Sequence, residues 1–198
     1  DSVVLAGGRD NLITSCSFSA IGGGEDNKAA ASYASISGGL DNTVTAQYGT
    51  IAGGTGNTVT AQHSAVGGGT SNHVNATEST ISGGSTNSVL AMESSIGGGR
   101  DNIASGRATT VGGGYANSAT QPYSTVSGGF QNRISRPVGE ANHMSFIGGG
   151  WQNFVSQHAG VVTGGVSNDV LADYGAIGGG QSNTVAGPWS FIGGGANN

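Results

Sequence analysis

One residue recurs in this chain at a fixed phase, and that recurrence limits the fold more than any other feature. Asn stands at positions 11, 27, 42, 57, 72, 87, 102, 117, 132, 153, 168, 183 and 198. Six residues before each of them is an aliphatic anchor: Leu5, Ile21, Ile36, Ile51, Val66, Ile81, Ile96, Val111, Val126, Ile147, Val162, Ile177 and Ile192. The anchors are 15 residues apart, except for 16 in the first interval and 21 between Val126 and Ile147. Two Gly follow each anchor at the second and third places, as in Gly38-Gly39 and Gly194-Gly195. Two residues after the Asn comes Val, Ile or Ala, as in Val44, Val59 and Ile134, and two further on Ala is the commonest choice. A self-similar period that covers a whole chain signals a stack of identical structural units.

Fifteen residues are too few for a helix with strands, and they alternate instead. Ser79, Ile81 and Gly83 fall on one side of a first short strand; Asn87, Val89 and Ala91 fall on one side of a second. One such unit cannot bury its apolar side, but a stack of them can. The sequence therefore predicts an all-β parallel β-solenoid, or β-roll, of about 13 coils of 15 residues, forming one domain over 1–198 with an insertion loop at 136–143. At about 4.8 Å per coil the stack would be a rod of roughly 60 Å. Its inward residues are slender, which explains why 40 of the 198 residues are Gly and only 6% are aromatic. No charged residue falls at an inward phase except Arg136, beside the insertion. The Gly pair suits either a positive-φ turn or a close approach of the two sheets. The Asn column, Asn27, Asn42, Asn57, Asn72, Asn87, Asn102, Asn117, Asn132, Asn153, Asn168 and Asn183 within the regular coils, is expected to stack its amides in an internal ladder, or to bond its own turn backbone. Either role is structural.

Several functions are disfavoured. Gly without a three-residue period and with only three Pro excludes collagen. A net charge of −5 argues against nucleic-acid binding, which needs a basic stripe. No apolar run is long enough for a membrane-spanning helix. Cys16 is the only cysteine, so no disulfide framework or thiolate metal site is expected. His63, His73, His143 and His158 occupy different phases and form no metal set, and no cofactor is expected. Asp10, Asp26, Asp41 and Asp101 share a turn phase that other coils fill with Gly, Ser, Thr, Ala or Gln, which fits solvated turn residues better than a calcium site. Glu78 and Glu93 are one coil apart, near the separation of a retaining glycosidase pair, but no cleft is implied. Asn75-Ala76-Thr77 is a lone glycosylation sequon. No catalytic residue is assigned, and the chain reads as a non-enzyme.

Function on a solenoid lies in rows along its surface, and three merit attention. The residue after each anchor is never larger than Thr (Ala6, Gly22, Ser37, Ala52, Gly67, Ser82 and so on), which predicts either a tight bend or a surface against which identical subunits pack. The row three residues before the anchor holds Phe18, Tyr33, Tyr48, His63, Glu78, Glu93, Tyr123, Tyr174 and Trp189. Its rings would stiffen a corner, or offer a glycan or partner an apolar face with a polar handle. The row after the Gly pair turns bulky in the later coils, with Tyr115, Phe130, Trp151 and Val166, and Phe154 lies near it. Exposed aromatics beside an insertion make Tyr115, Phe130, Trp151 and Phe154 the best candidate partner site, with Tyr33, Tyr48, His63, Tyr174 and Trp189 as a second.

The pattern Ser-x-Ile-x-Gly-Gly-x-x-Asn-x-Val-x-Ala, carried by segments such as Ser79-Thr80-Ile81-Ser82-Gly83-Gly84 and Asn87-Ser88-Val89-Leu90-Ala91, resembles the YadA-like head repeats of trimeric autotransporter adhesins. It is equally similar to Gly-rich repeats of bacterial surface proteins and phage tail fibres. The chain departs from the adhesin repeat in having Asn where that repeat has Ala, and two Gly where it has one. The resemblance implies a left-handed roll, three chains side by side, and adhesion at a cell or virion surface. The expectation is thus a non-enzymatic extracellular fibre module, an adhesin-type head or spacer binding a host surface or glycan. A tail-fibre receptor-binding segment and a filament subunit are the alternatives. An ice-binding face on Thr50, Thr80, Thr110 and Thr125 ranks lower, because Ser35, Ala65 and Ser95 interrupt that row and Phe146 and Phe191 end it. The uncapped last coil at Asn197-Asn198 predicts a piece of a longer chain or a unit that stacks end to end into a filament.

Overall fold

The computed structural model describes residues 2–14, 17–135 and 144–198. Cys16, Arg136, His143 and the rest of the 136–143 insertion lie outside the described residues. The chain divides into two compact units, Asp1–Gly99 and Arg100–Asn198.

In both units the expected β-solenoid is present, and no helix occurs among the described residues. Each coil has two short strands, for example Thr80–Ile81 and Ser88–Val89. Each strand pairs in parallel with its counterpart one coil away: Thr80 lies opposite Ala65 and Ser95, and Val89 opposite Val74. Within each unit the register follows the repeat, with partners 15 residues apart in the regular coils, 16 apart for Val4 and Ala20, and 21 apart for Thr125 and Phe146. Twelve coils have both strands; the thirteenth expected coil has its first strand, Phe191–Ile192, and the Asn198 that closes its ladder.

A third column of parallel bridges, which two-strand periodicity does not reveal, runs through the residue after the Gly pair. It links Glu25, Leu40, Thr55, Thr70 and Ser85 in the first unit and Arg100, Tyr115, Phe130, Trp151, Val166, Gln181 and Ala196 in the second. Backbone bonds such as Trp151 N–H to Gly165 O, 2.9 Å, hold this column one coil apart. It is the reason that side chains of this row are fixed in a file.

The interior takes one small side chain per strand, a branched Ile or Val in most coils and Ala at Ala29, Ala104 and Ala119. Ile36, Ile51, Ile81, Val44, Val59 and Val74 are fully buried in the first unit, and Ile134, Ile147, Val155 and Val170 in the second. The Asn ladder combines both roles expected of it. The Asn57 amide nitrogen donates to Asn42 Oδ1 (3.1 Å), to Gly53 O in its own coil (3.1 Å) and to Gly69 O in the following coil (2.9 Å). Asn57 Oδ1 in turn accepts from the backbone N–H and the amide of Asn72. Each Asn therefore donates back to the preceding rung. The same pattern joins Asn132, Asn153, Asn168 and Asn183 in the second unit. Every polar atom of this side chain is satisfied, which is what allows a neutral amide to lie at zero exposure.

A second, partial ladder escapes the sequence reading. The inward Ser two residues before the anchor is buried and bonds across coils: Ser64 Oγ–H donates to Ala76 O (2.8 Å) and accepts from Ser79 N–H (3.2 Å). The Gly pair splits into two jobs. Gly83 has open space where a Cβ would stand, so it is not an inward packing residue. Gly84 has φ +92°, and a Cβ there would lie 2.1 Å from Gly99 O. Only Gly fits at the second place, because the coils approach there backbone to backbone.

Candidate functional site

The small row after the anchors has an intrachain explanation at its glycines. A Cβ on Gly22, Gly67, Gly112, Gly148 or Gly178 would stand 2.2–2.6 Å from the backbone carbonyl of the following coil. Ser37, Ala52 and Ser82 in the first unit, and Ser127 and Thr163 in the second, carry a Cβ in the same row and are exposed, and Thr163 Oγ1 donates to Gly178 O. The tight bend thus explains the glycines of the row, and small, uncharged, exposed side chains make up the rest of it in each unit.

The corner row takes an unexpected backbone. Phe18, Tyr33, Tyr48 and His63 all have φ of 55–60°, the left-handed region that large side chains rarely occupy. The turn adopts it because the N–H can then donate to the preceding coil, as Tyr33 does to Ser17 O at 3.0 Å. Each such residue costs about 1 kcal/mol, and ring stacking of roughly the same size offsets it. The four rings form one stack in the first unit, with centroids 4.7–5.1 Å apart and planes within 12–16° of parallel. Inner rings Tyr33 and Tyr48 are therefore covered on both faces and show only their edges. A sugar stacks on a ring face, which Tyr33 and Tyr48 do not offer, whereas His63, the last ring of this stack, is covered by a ring on one face only. In the second unit Tyr174 is likewise held, between Trp189 (3.9 Å, 6°) and the edge of His158 (5.0 Å, 90°). Trp189 itself is 75% exposed.

The late row differs. Arg100, Tyr115, Phe130 and Trp151 follow one another in the third bridge column. The Arg100 guanidinium lies 4.6 Å from the Tyr115 ring centre and pairs with Asp101 at 3.3 Å. Hydrogen bonding to the Tyr115 side chain, with the charge interactions of Tyr115 and Asp101, holds Arg100 above its ordinary range. Tyr115 and Phe130 stack at 5.2 Å, but Trp151 is tilted 56° to Phe130 and is 51% exposed. The next residue in the column is Val166, not a ring. Trp151 thus keeps a ring face that no aromatic neighbour covers.

Phe154, expected beside this row, belongs to the neighbouring second-strand column, Ser118–Arg133–Phe154–Asp169–Thr184. It packs beneath the Arg133 guanidinium at 5.5 Å, and no ring contact joins it to Trp151 among the described residues. Asp169 follows it, and burial raises the Asp169 carboxyl above its ordinary value. Between the two columns, Gln152 Nε2 donates to Gln131 Oε1 at 2.9 Å on the exposed turn. Arg133, Gln131 and Gln152 were not singled out from the sequence. The only available sign was that they share coils with Phe130 and Trp151.

Among the described residues, the buried Gln121 Nε2 and His158 Nδ1 have no hydrogen-bond partner. Gln121 replaces the usual turn Ala, and its Oε1 accepts from Ser145 Oγ at 3.1 Å. No group of three or more metal-ligating side chains occurs among the described residues. Asp10, Asp26, Asp41 and Asp101 all sit in the left-handed turn at φ 55–58°, where Asp is favoured, which accounts for their phase. Glu78 and Glu93 are exposed corner residues. No protein-family model matches the chain, and no curated protein is significantly similar to it.

Proposed function

We propose that the protein is a non-enzymatic fibre module of an extracellular surface, an adhesin-type head or spacer whose copies assemble side by side. The observation that carries this reading is the exposed strip of small side chains. In the first unit, Ser37, Ala52 and Ser82 are small, uncharged and exposed along this row. A surface free in solvent tolerates Lys, Glu and Gln; a surface against which another copy lies flat does not. The interior supports a scaffold role, since the Asn and Ser ladders consume the polar groups of those two buried columns. The resemblance to adhesin head repeats points to three copies.

Light scattering on the purified chain tests this. A stable oligomer at micromolar concentration is expected, and Ser82→Lys together with Ala52→Lys should dissociate it. A monomer, or an oligomer indifferent to both substitutions, contradicts the reading.

A further inference from the structure

We infer that the Trp151–Arg133 surface of the second unit is a saccharide site that selects carboxylated sugars. The inference rests on the fibre-module reading and names what such a module would hold. Three adjacent outward columns contribute. The first supplies Trp151, half exposed and with one ring face that no aromatic neighbour covers. Pyranose C–H faces stack on such a ring, and the indole N–H adds a donor. The second supplies the Gln131–Gln152 pair. One hydrogen bond consumes the Gln131 carbonyl and one Gln152 N–H, so the Gln131 amide nitrogen and the Gln152 carbonyl are left for sugar hydroxyls. The third supplies Arg133, exposed and laid over the Phe154 ring.

The Arg133 geometry sets the charge preference. A guanidinium stacked on a ring keeps its in-plane N–H donors free, and these match the two oxygens of a carboxylate. Stacking also restrains the side chain before the ligand arrives, which lowers the ordering cost of binding. Arg133 has no carboxylate partner among the described residues, unlike Arg9, which pairs with Glu25, and Arg100, which pairs with Asp101. In a chain of net charge −5, a cation without a carboxylate partner among the described residues, beside the exposed Trp151, complements an acidic sugar and not a neutral one. Phe130 and Gln131 with Arg133, and Trp151 and Gln152 with Phe154, occupy successive coils about 4.8 Å apart, so one or two sugar rings cover the site.

Calorimetry on the full chain with oligogalacturonic acid and its methyl ester tests the inference. The two probes share rings and linkages and differ in charge. The acid should bind at least tenfold more tightly than the ester. Trp151→Ala should weaken both probes at least tenfold. Arg133→Gln should weaken the acid to the level of the ester and leave the ester unchanged. Both side chains are exposed, and an unchanged melting temperature verifies that each variant is folded. Equal affinity for acid and ester, no binding of either, or binding unaffected by both substitutions overturns the inference. Light scattering decides the oligomer separately, so a failed saccharide test and a failed assembly test are told apart.

Discussion

The substitution Asn57→Asp changes one atom of a fully buried side chain and tests the ladder at a defined place. The Nδ2 position faces three oxygens, Asn42 Oδ1, Gly53 O and Gly69 O, at 2.9–3.1 Å. A carboxylate oxygen there would meet three acceptors and no donor. The native state must therefore bind a proton that the unfolded chain releases at ordinary pH. Holding that proton at pH 7, about three units above the usual Asp pKa of ~3.9, costs about 4 kcal/mol. The protonated group offers one O–H where the amide offered two N–H donors, a further loss of about 1–3 kcal/mol. The variant should thus be about 5–7 kcal/mol less stable than the parent at pH 7, comparable to the whole stability of a small domain. The sign follows from the raised native pKa: the proton-linked part vanishes below the unfolded pKa and grows as pH rises. At pH 3 the deficit should shrink to about 1–3 kcal/mol. Urea denaturation followed by far-ultraviolet circular dichroism, with parent and variant compared at both pH values, measures it. A deficit of the same size at pH 3 and pH 7, or none at either, refutes the reasoning.

Adjacent glycines should respond oppositely. Gly83→Ala enters open space and should shift stability by less than about 1 kcal/mol, whereas Gly84→Ala, aimed at Gly99 O from a φ of +92°, should cost about 3 kcal/mol or more in the same denaturation experiment. Asp169 carries a carboxyl pushed up by burial, so its penalty is absent below the ordinary value of 3.8 and develops as pH rises. Asp169→Asn should therefore melt higher than the parent at pH 7, and the difference should disappear in acid; a pH-independent difference contradicts the assignment.

Much of the scaffold could be read from the chain because each coil repeats the same demands. The buried Ile, Val and Asn phases follow from alternation, and the amide ladder follows from one residue type kept at one phase. The third bridge column does not follow, since a single paired residue such as Ser85 has no alternation to display. Neither does the left-handed corner: Tyr33, Tyr48, Glu78 and Ala108 all take positive φ at one phase, which their residue types do not announce. Ring stacking between coils changes the functional weight of the aromatic rows. Sequence places Tyr48 and Trp151 alike as surface rings; geometry shows Tyr48 between two rings and Trp151 against one. Phe154 was expected beside Trp151 because it is near in sequence, yet the intervening turn assigns it to another column, with Arg133. The Gly residues of the small row were ambiguous until the carbonyl of the next coil was located.

Side-chain amide exchange by nuclear magnetic resonance tests the stacked amide file most directly. The Nδ2 protons of Asn42, Asn57, Asn72, Asn132, Asn153 and Asn168, each donating to a neighbouring rung, should exchange orders of magnitude more slowly than those of exposed Asn75 and Asn197. Uniform fast exchange across all of these Asn would contradict the architecture and every role built on it.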